Sequence, residues 1–299
     1  MTTNQVEILI TAPNGCDSAH ELLKCLDNQI GPEFKVSILE IVENCQIDSF
    51  STKNFQIDHM YFAHQEEAEM RRDGFIKSTA DWVLVLEDHI LISENFISEF
   101  KRFVESNESA DATTFYAING TSETFGSRAL FSWVWGLAET KMYPEKPEPV
   151  CSAFAVKRLS VVDFLAKLNK GLEIGELETQ IIPKLIRDSN SKFMTHMEIS
   201  HFEYVGIRVG AKAIYSNSRI MGHLESSLLD RRDWVKHLTH RFTSRPGQIH
   251  RISARGFVEL AYLYYLAFVS FSGFLIGGLM GIGKADLHLA SAHPKIEKR

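Results

Sequence analysis

Hydrophobic and polar positions along the chain switch between two periods, and the switches mark its elements. Val6 to Ile10 is an apolar run of strand length, closed by the turn-forming residues Thr11-Ala12-Pro13-Asn14-Gly15. Ser18-Ala19-His20-Glu21 then has the capping-box pattern, with Ala19, Leu22, Leu23 and Leu26 at helical spacing behind it. Phe34 to Val42 predicts a second strand that ends in Glu43-Asn44, and Ile57 to Ala63 predicts a weaker third. Glu66 to Thr79 predicts a helix with Ala68, Phe75 and Ile76 on one side. It leads into Trp82 to Leu86, an unbroken apolar run that reads as a strand buried on both faces and stops abruptly at Glu87-Asp88-His89. Ser93 is placed to cap the next helix, whose Phe96, Phe100, Phe103 and Val104 recur at i, i+4, i+7 and i+8. Strands alternating with helices predict an α/β fold with a mostly parallel sheet covered by helices. In such sheets ligands gather at the carboxyl ends of the strands, so Glu87-Asp88-His89 marks a site.

The middle of the chain is less regular. Thr113 to Ile118 and Val150 to Val156 read as strands, and Phe125 to Pro149 between them, with Trp133, Trp135 and three prolines, as a long, partly ordered excursion. A helix is expected over Ser160 to Leu168, a second around Ile181, Ile182, Leu185 and Ile186, and a strand over Phe193 to Ser200. Glu176 and Glu178 stand at the start of the second of these helices, where the helix dipole favours carboxylates. His201 follows the late strand.

From Leu260 to Ile282 no residue is charged, a run long enough to span a bilayer as a helix of about 34 Å. Tyr262, Tyr264 and Tyr265 cluster at its start, and Arg241, Arg245, Arg251 and Arg255 precede it. Gly273, Gly277 and Gly281 recur every four residues, a spacing that admits a close partner helix, a second copy included, or a bend in a re-entrant hairpin. The N-terminus lacks the basic and apolar regions of a signal peptide, so the main domain is expected on the cytoplasmic face. A net charge of -6 argues against nucleic acid as a partner, and the four cysteines form no zinc-binding spacing.

These motifs, taken in order, resemble a known family. Ala68, Arg71 and Gly74 on the predicted helix, followed by the strand ending in Glu87-Asp88-His89, are similar to the A-x-x-R-x-x-G helix and D-x-D strand of family 2 glycosyltransferases with the GT-A fold. The likeness extends over roughly residues 5 to 205. It implies a donor site formed by Thr11, Ala12, Glu43, Arg71, Glu87 and Asp88. It implies a divalent metal, Mn²⁺ or Mg²⁺, on Asp88, His89 and His201, and a catalytic base at Glu178 or Glu176. The sequence departs from the family pattern where Glu87-Asp88-His89 replaces D-x-D and Glu43 replaces aspartate. The implied organisation is a catalytic domain over 1–240, a basic linker over 241–256, a membrane segment over 257–283 and a tail over 284–299.

The implied activity is metal-dependent, inverting transfer of a sugar from a nucleotide-diphosphate donor to a hydroxyl acceptor, a saccharide or a lipid-linked one. The residue types suit it. A nucleotide diphosphate leaving group gains negative charge as the sugar bond breaks, a cation on hard oxygen ligands can neutralise it, and a carboxylate can take the acceptor proton. A polyprenyl phosphate acceptor, which needs no base, and a non-catalytic nucleotide-sugar-binding scaffold remain open. An oxidoreductase is not, because residues 11–15 make no G-x-G-x-x-G loop.

Overall fold

A computed structural model of the chain describes residues 5–13, 15–31, 33–41, 52–63, 67–120, 124–135, 152–165, 191–202, 206–243, 246 and 256–283. They divide into two compact units, one carrying the sheet and the other a group of helices.

The sheet has eight strands among the described residues, in the order β3-β2-β1-β4-β7-β6-β8-β5. Its first half is parallel: β3 (Ile57–Phe62), β2 (Lys35–Ile41), β1 (Val6–Ala12) and β4 (Trp82–Glu87). Every residue of β1 and of β4 is buried, as two-faced burial of an unbroken apolar run requires. Beyond β4 the sheet turns antiparallel through β7 (Ala153–Lys157) and β6 (Ala112–Asn119), and β8 (Ser191–His201) pairs antiparallel with the short β5 (Ile90–Ile92).

Helices α1 (His20–Asp27), α2 (Glu67–Lys77), α3 (Phe96–Ser106) and α5 (Arg158–Leu165) belong to the same unit. The α3 periodicity is realised, with Phe96, Ile97, Phe100, Phe103 and Val104 buried, and Trp82 meets Phe100 edge-on at 5.8 Å. Its cap differs from expectation. The helix starts after Asn95 with no side-chain cap, and Ser93 contributes only its carbonyl, which accepts from the Phe96 N–H. Gly74 lets α2 lie close on the sheet, since a Cβ there would come within 3.1 Å of both Leu9 and Leu39.

The second unit holds α4 (Phe125–Trp135), α6 (Ile207–Leu228), α7 (Arg231–Thr243) and α8 (Phe257–Met280). The irregular excursion expected from Phe125 is a helix for its first turns. Residues 129–133 are all buried, so they show no amphipathic stripe by which sequence periodicity could reveal them. Leu130 and Trp133 pack with Ile214 of α6 and with Leu263, Leu266 and Ala267 of α8. Arg128 and Glu259 form an ion pair at 2.5 Å in the same unit. α8 is long and apolar enough to cross a membrane, and one of its faces is buried along its length.

Candidate active site

Strand β4 ends at Glu87, and two turn residues, Asp88 and His89, lead directly into β5. Because Ile90 pairs with His201 in the β5–β8 register, the chain places the two imidazoles side by side although 112 residues separate them. Their rings meet nearly perpendicular, with centroids 4.6 Å apart. His89 Nε2 lies 3.2 Å from His201 Nε2 and 3.2 Å from Glu87 Oε2, and His201 Nε2 lies 3.4 Å from the same oxygen.

Three donor atoms thus form a nearly equilateral triangle, and all three residues are buried. Ligands about 2.0–2.2 Å from a shared ion stand about 2.8–3.6 Å apart across octahedral and tetrahedral geometries, so this triangle has the dimensions of one face of a coordination polyhedron. The proton arrangement fits the same reading. Asp88 Oδ1 accepts a hydrogen bond from His89 Nδ1 at 2.9 Å, which leaves the Nε2 lone pair facing Glu87 and His201. Lone pairs converging in a buried place require positive charge among them, as protons or as a cation. The residues present therefore fit a divalent ion.

Glu87 is fixed from the other side. Arg71, wholly buried on α2, donates from Nη2 to Glu87 Oε1 at 3.0 Å and from Nε to Thr11 Oγ1 at 3.0 Å. Thr11 and Glu87 are neighbours in the β1–β4 register, so one guanidinium ties the ends of both strands. Its burial excludes a solvated position on the helix face. Desolvation alone would raise the Glu87 carboxyl, but with protons rather than a cation in the triangle the hydrogen bonds from His201 and His89, together with the charges of His89 and Arg71, outweigh it and hold the group well below the usual carboxylate range.

Asp88 stands behind the triangle rather than in it. Its Oδ1 holds His89 and its Oδ2 meets the Ser18 hydroxyl, which also lies 2.8 Å from the Gly15 carbonyl. Ser18 is the serine of the expected capping box, yet α1 starts one residue later, after Ala19, with no side-chain cap. Its hydroxyl is engaged by Asp88, a role for which the local sequence holds no signal. Ala12 is buried beside Glu40, and Glu40 takes a 2.6 Å contact from His59 Nδ1 on β3; neither Glu40 nor His59 stood out in the sequence. Glu43, Glu176 and Glu178 lie outside the described residues.

Two solved structures share this architecture. Residues 1–349 of S. aureus TarS superpose with a TM-score of 0.50 at 12% identity, covering 92% of this chain and 90% of that one. The same region in complex with UDP-GlcNAc gives a TM-score of 0.51 at 12% identity, over 92% and 90% of the two chains. The fold is that of GT-A glycosyltransferases. No protein-family model and no curated protein matches the sequence. At this identity the GT-A likeness speaks for the fold, and the chemistry rests on the side chains.

Proposed function

We propose that this chain is a nucleotide-sugar glycosyltransferase whose donor diphosphate is met at the end of β4 by a divalent cation on Glu87, His89 and His201. The observation that carries the reading is the donor triangle, set at the carboxyl end of a central strand of a GT-A sheet. Such an ion supplies positive charge to the diphosphate oxygens as the sugar–phosphate bond breaks. Two imidazole nitrogens and one carboxylate oxygen favour Mn²⁺ over Mg²⁺, which prefers oxygen ligands.

In this reading the chain's residues divide the work. Glu87 contributes the anionic ligand, and the Arg71 guanidinium on its other oxygen helps to keep it ionised. Arg71 is a positioning residue that acts through Glu87 and Thr11. Asp88, oriented by Ser18, fixes the ring of His89. Thr11 and Ala12 end the strand beside them, and with Glu43 they complete the donor-binding set. Glu178, with Glu176 in reserve, takes the proton from the acceptor hydroxyl in a single inverting displacement. The acceptor is a saccharide, free or lipid-linked.

The test is release of nucleoside diphosphate and transfer of sugar from a panel of donors headed by UDP-GlcNAc, with Mn²⁺ or Mg²⁺ restored after chelation. Turnover of one donor, greater with Mn²⁺ and reduced at least about a hundredfold in His201→Ala, is expected. A folded protein that neither binds nor turns over any donor in the panel would overturn the proposal.

A further inference from the structure

The helix that passes for a membrane span is packed tightly against a second helix of the same chain. α6 runs beside α8 in the same direction, and their backbones touch. A Cβ on Gly277 would sit 1.9 Å from the Arg219 carbonyl oxygen, one on Gly222 1.9 Å from the Phe274 carbonyl oxygen, and one on Gly273 2.4 Å from the Tyr215 carbonyl oxygen. The Ser218 and Ser270 hydroxyls are joined at 2.8 Å between the helices, and Arg219 Nε donates to the Gly281 carbonyl at 2.9 Å. The glycine spacing therefore serves a helix of the same chain.

That packing decides how α8 meets a bilayer. A crossing α8 would draw α6 through the hydrocarbon with it, and α6 carries Arg208, Lys212, Arg219 and Glu225, of which Arg208 and Lys212 are exposed. Opposite its buried face, α8 keeps an uncovered apolar one. Phe257, Tyr264, Tyr265, Phe268, Leu279 and Met280 are all exposed, over a helix length of about 36 Å.

α7 returns alongside, with Trp234 stacked on Phe274 at 5.7 Å and Phe242 against Phe271 at 5.6 Å. From Arg231 to Gly256 the sequence holds seven arginines and lysines against Asp233 as the single acid, in a chain of net charge -6. Arg231 and Arg232 are exposed at the start of α7.

We infer that the helical unit lies in the plane of an anionic membrane surface, with the exposed face of α8 entering the headgroup boundary and the basic segment before it meeting anionic lipid. A long apolar face beside concentrated positive charge is the recognition chemistry of an in-plane helix. A second copy of the chain suits the face less well, because pairing two α8 faces about a two-fold axis would bring two such basic segments together. The inference deepens the membrane part of the sequence reading. It stands apart from the donor chemistry and is measured without any donor.

The experiment is sedimentation of the full chain with vesicles of phosphatidylcholine alone or with about 30% phosphatidylglycerol, followed by alkaline carbonate extraction. Binding at least about tenfold stronger to the anionic vesicles, weakened by 0.5 M salt (on the order of a few Å of Debye length) and removed by carbonate, is expected. Phe268→Ser with Leu279→Ser, both at exposed positions, is expected to weaken binding about tenfold while leaving the unfolding temperature in place. Resistance to carbonate would overturn the inference in favour of a spanning helix. Failure to bind either vesicle, whether the protein is monomeric or paired in solution, would overturn it outright.

Discussion

Replacing Asp88 by asparagine separates two roles that the sequence alone runs together, metal ligand and orienter of a ligand. In the structure the Asp88 carboxylate is engaged by Ser18 and by Nδ1 of His89, and it lies outside the triangle formed by Glu87, His89 and His201. Asparagine fits the same space and keeps one acceptor oxygen. With that oxygen toward His89 Nδ1, the amide can donate to Ser18, so the ring orientation survives and only the charge is lost. Loss of a carboxylate behind a metal-bound histidine lowers metal affinity about 10- to 100-fold, or about 1.4–2.7 kcal/mol. Removing a proposed ligand outright, as in His89→Ala, is expected to cost on the order of a thousandfold or more. Ser18→Ala deletes one hydrogen bond to the orienting group and is expected to cost about fivefold. The assay is competition for Mn²⁺ against a fluorescent chelator, with histidine ¹⁵N shifts to report which ring nitrogen of His89 is protonated. An Asp88→Asn protein with wild-type affinity would refute the contribution assigned to the Asp88 charge. One as weak as His89→Ala would show that Asp88 binds the ion itself.

Three further outcomes follow from other contacts. Gly277→Ala drives a Cβ into the Arg219 carbonyl and forces α6 and α8 apart, with an expected cost of at least about 2 kcal/mol and a fall of several degrees in unfolding temperature. Gly256→Ala, where a Cβ would meet no atom within 4 Å, is the control, and equal unfolding temperatures for the two would contradict the packing. Arg71→Met leaves the buried Glu87 without its guanidinium partner and is expected to cost about 3 kcal/mol in urea unfolding; an effect below about 0.5 kcal/mol would show that Glu87 does not depend on it. Burial pushes the Cys25 thiol up, ahead of an opposing backbone hydrogen bond from Ile92, so the native protein should hold less thiolate than the unfolded chain at pH 8 to 9. Peptide-level alkylation at Cys25 should therefore rise with pH later in the native protein than in urea, and coincident profiles would exclude the shift.

What the sequence made legible depends on how far apart the interacting residues lie. Strand β4 and its polar terminus were readable because two-faced burial leaves an unbroken apolar run, and α3 because one-faced burial leaves a stripe. The first turns of α4 were hidden because residues buried on several sides lose that stripe. The likeness to family motifs singled out Glu87, His89 and His201 separately. That they share one point follows from the β5–β8 register, which no local pattern encodes, and β5 is only three residues long. Ser18 was read as a cap because its neighbours fit a capping box, and a tertiary partner, Asp88, claims its hydroxyl instead. In α8 the glycine spacing was visible, but in its partner α6 the matching small residues, Ser218 and Gly222, stand among charged ones and were not singled out.

The proposed cation would join the triangle to the donor diphosphate, and the coupling between metal and donor is its direct test. Calorimetric affinity for UDP-GlcNAc, or for whichever donor the panel selects, would be measured with and without Mn²⁺ in the wild type and in the double variant His89→Ala with His201→Ala. Mn²⁺ is expected to raise donor affinity at least about tenfold in the wild type and not at all in the double variant. Equal gains in both proteins, or tight donor binding in the wild type that ignores the metal, would contradict the proposal.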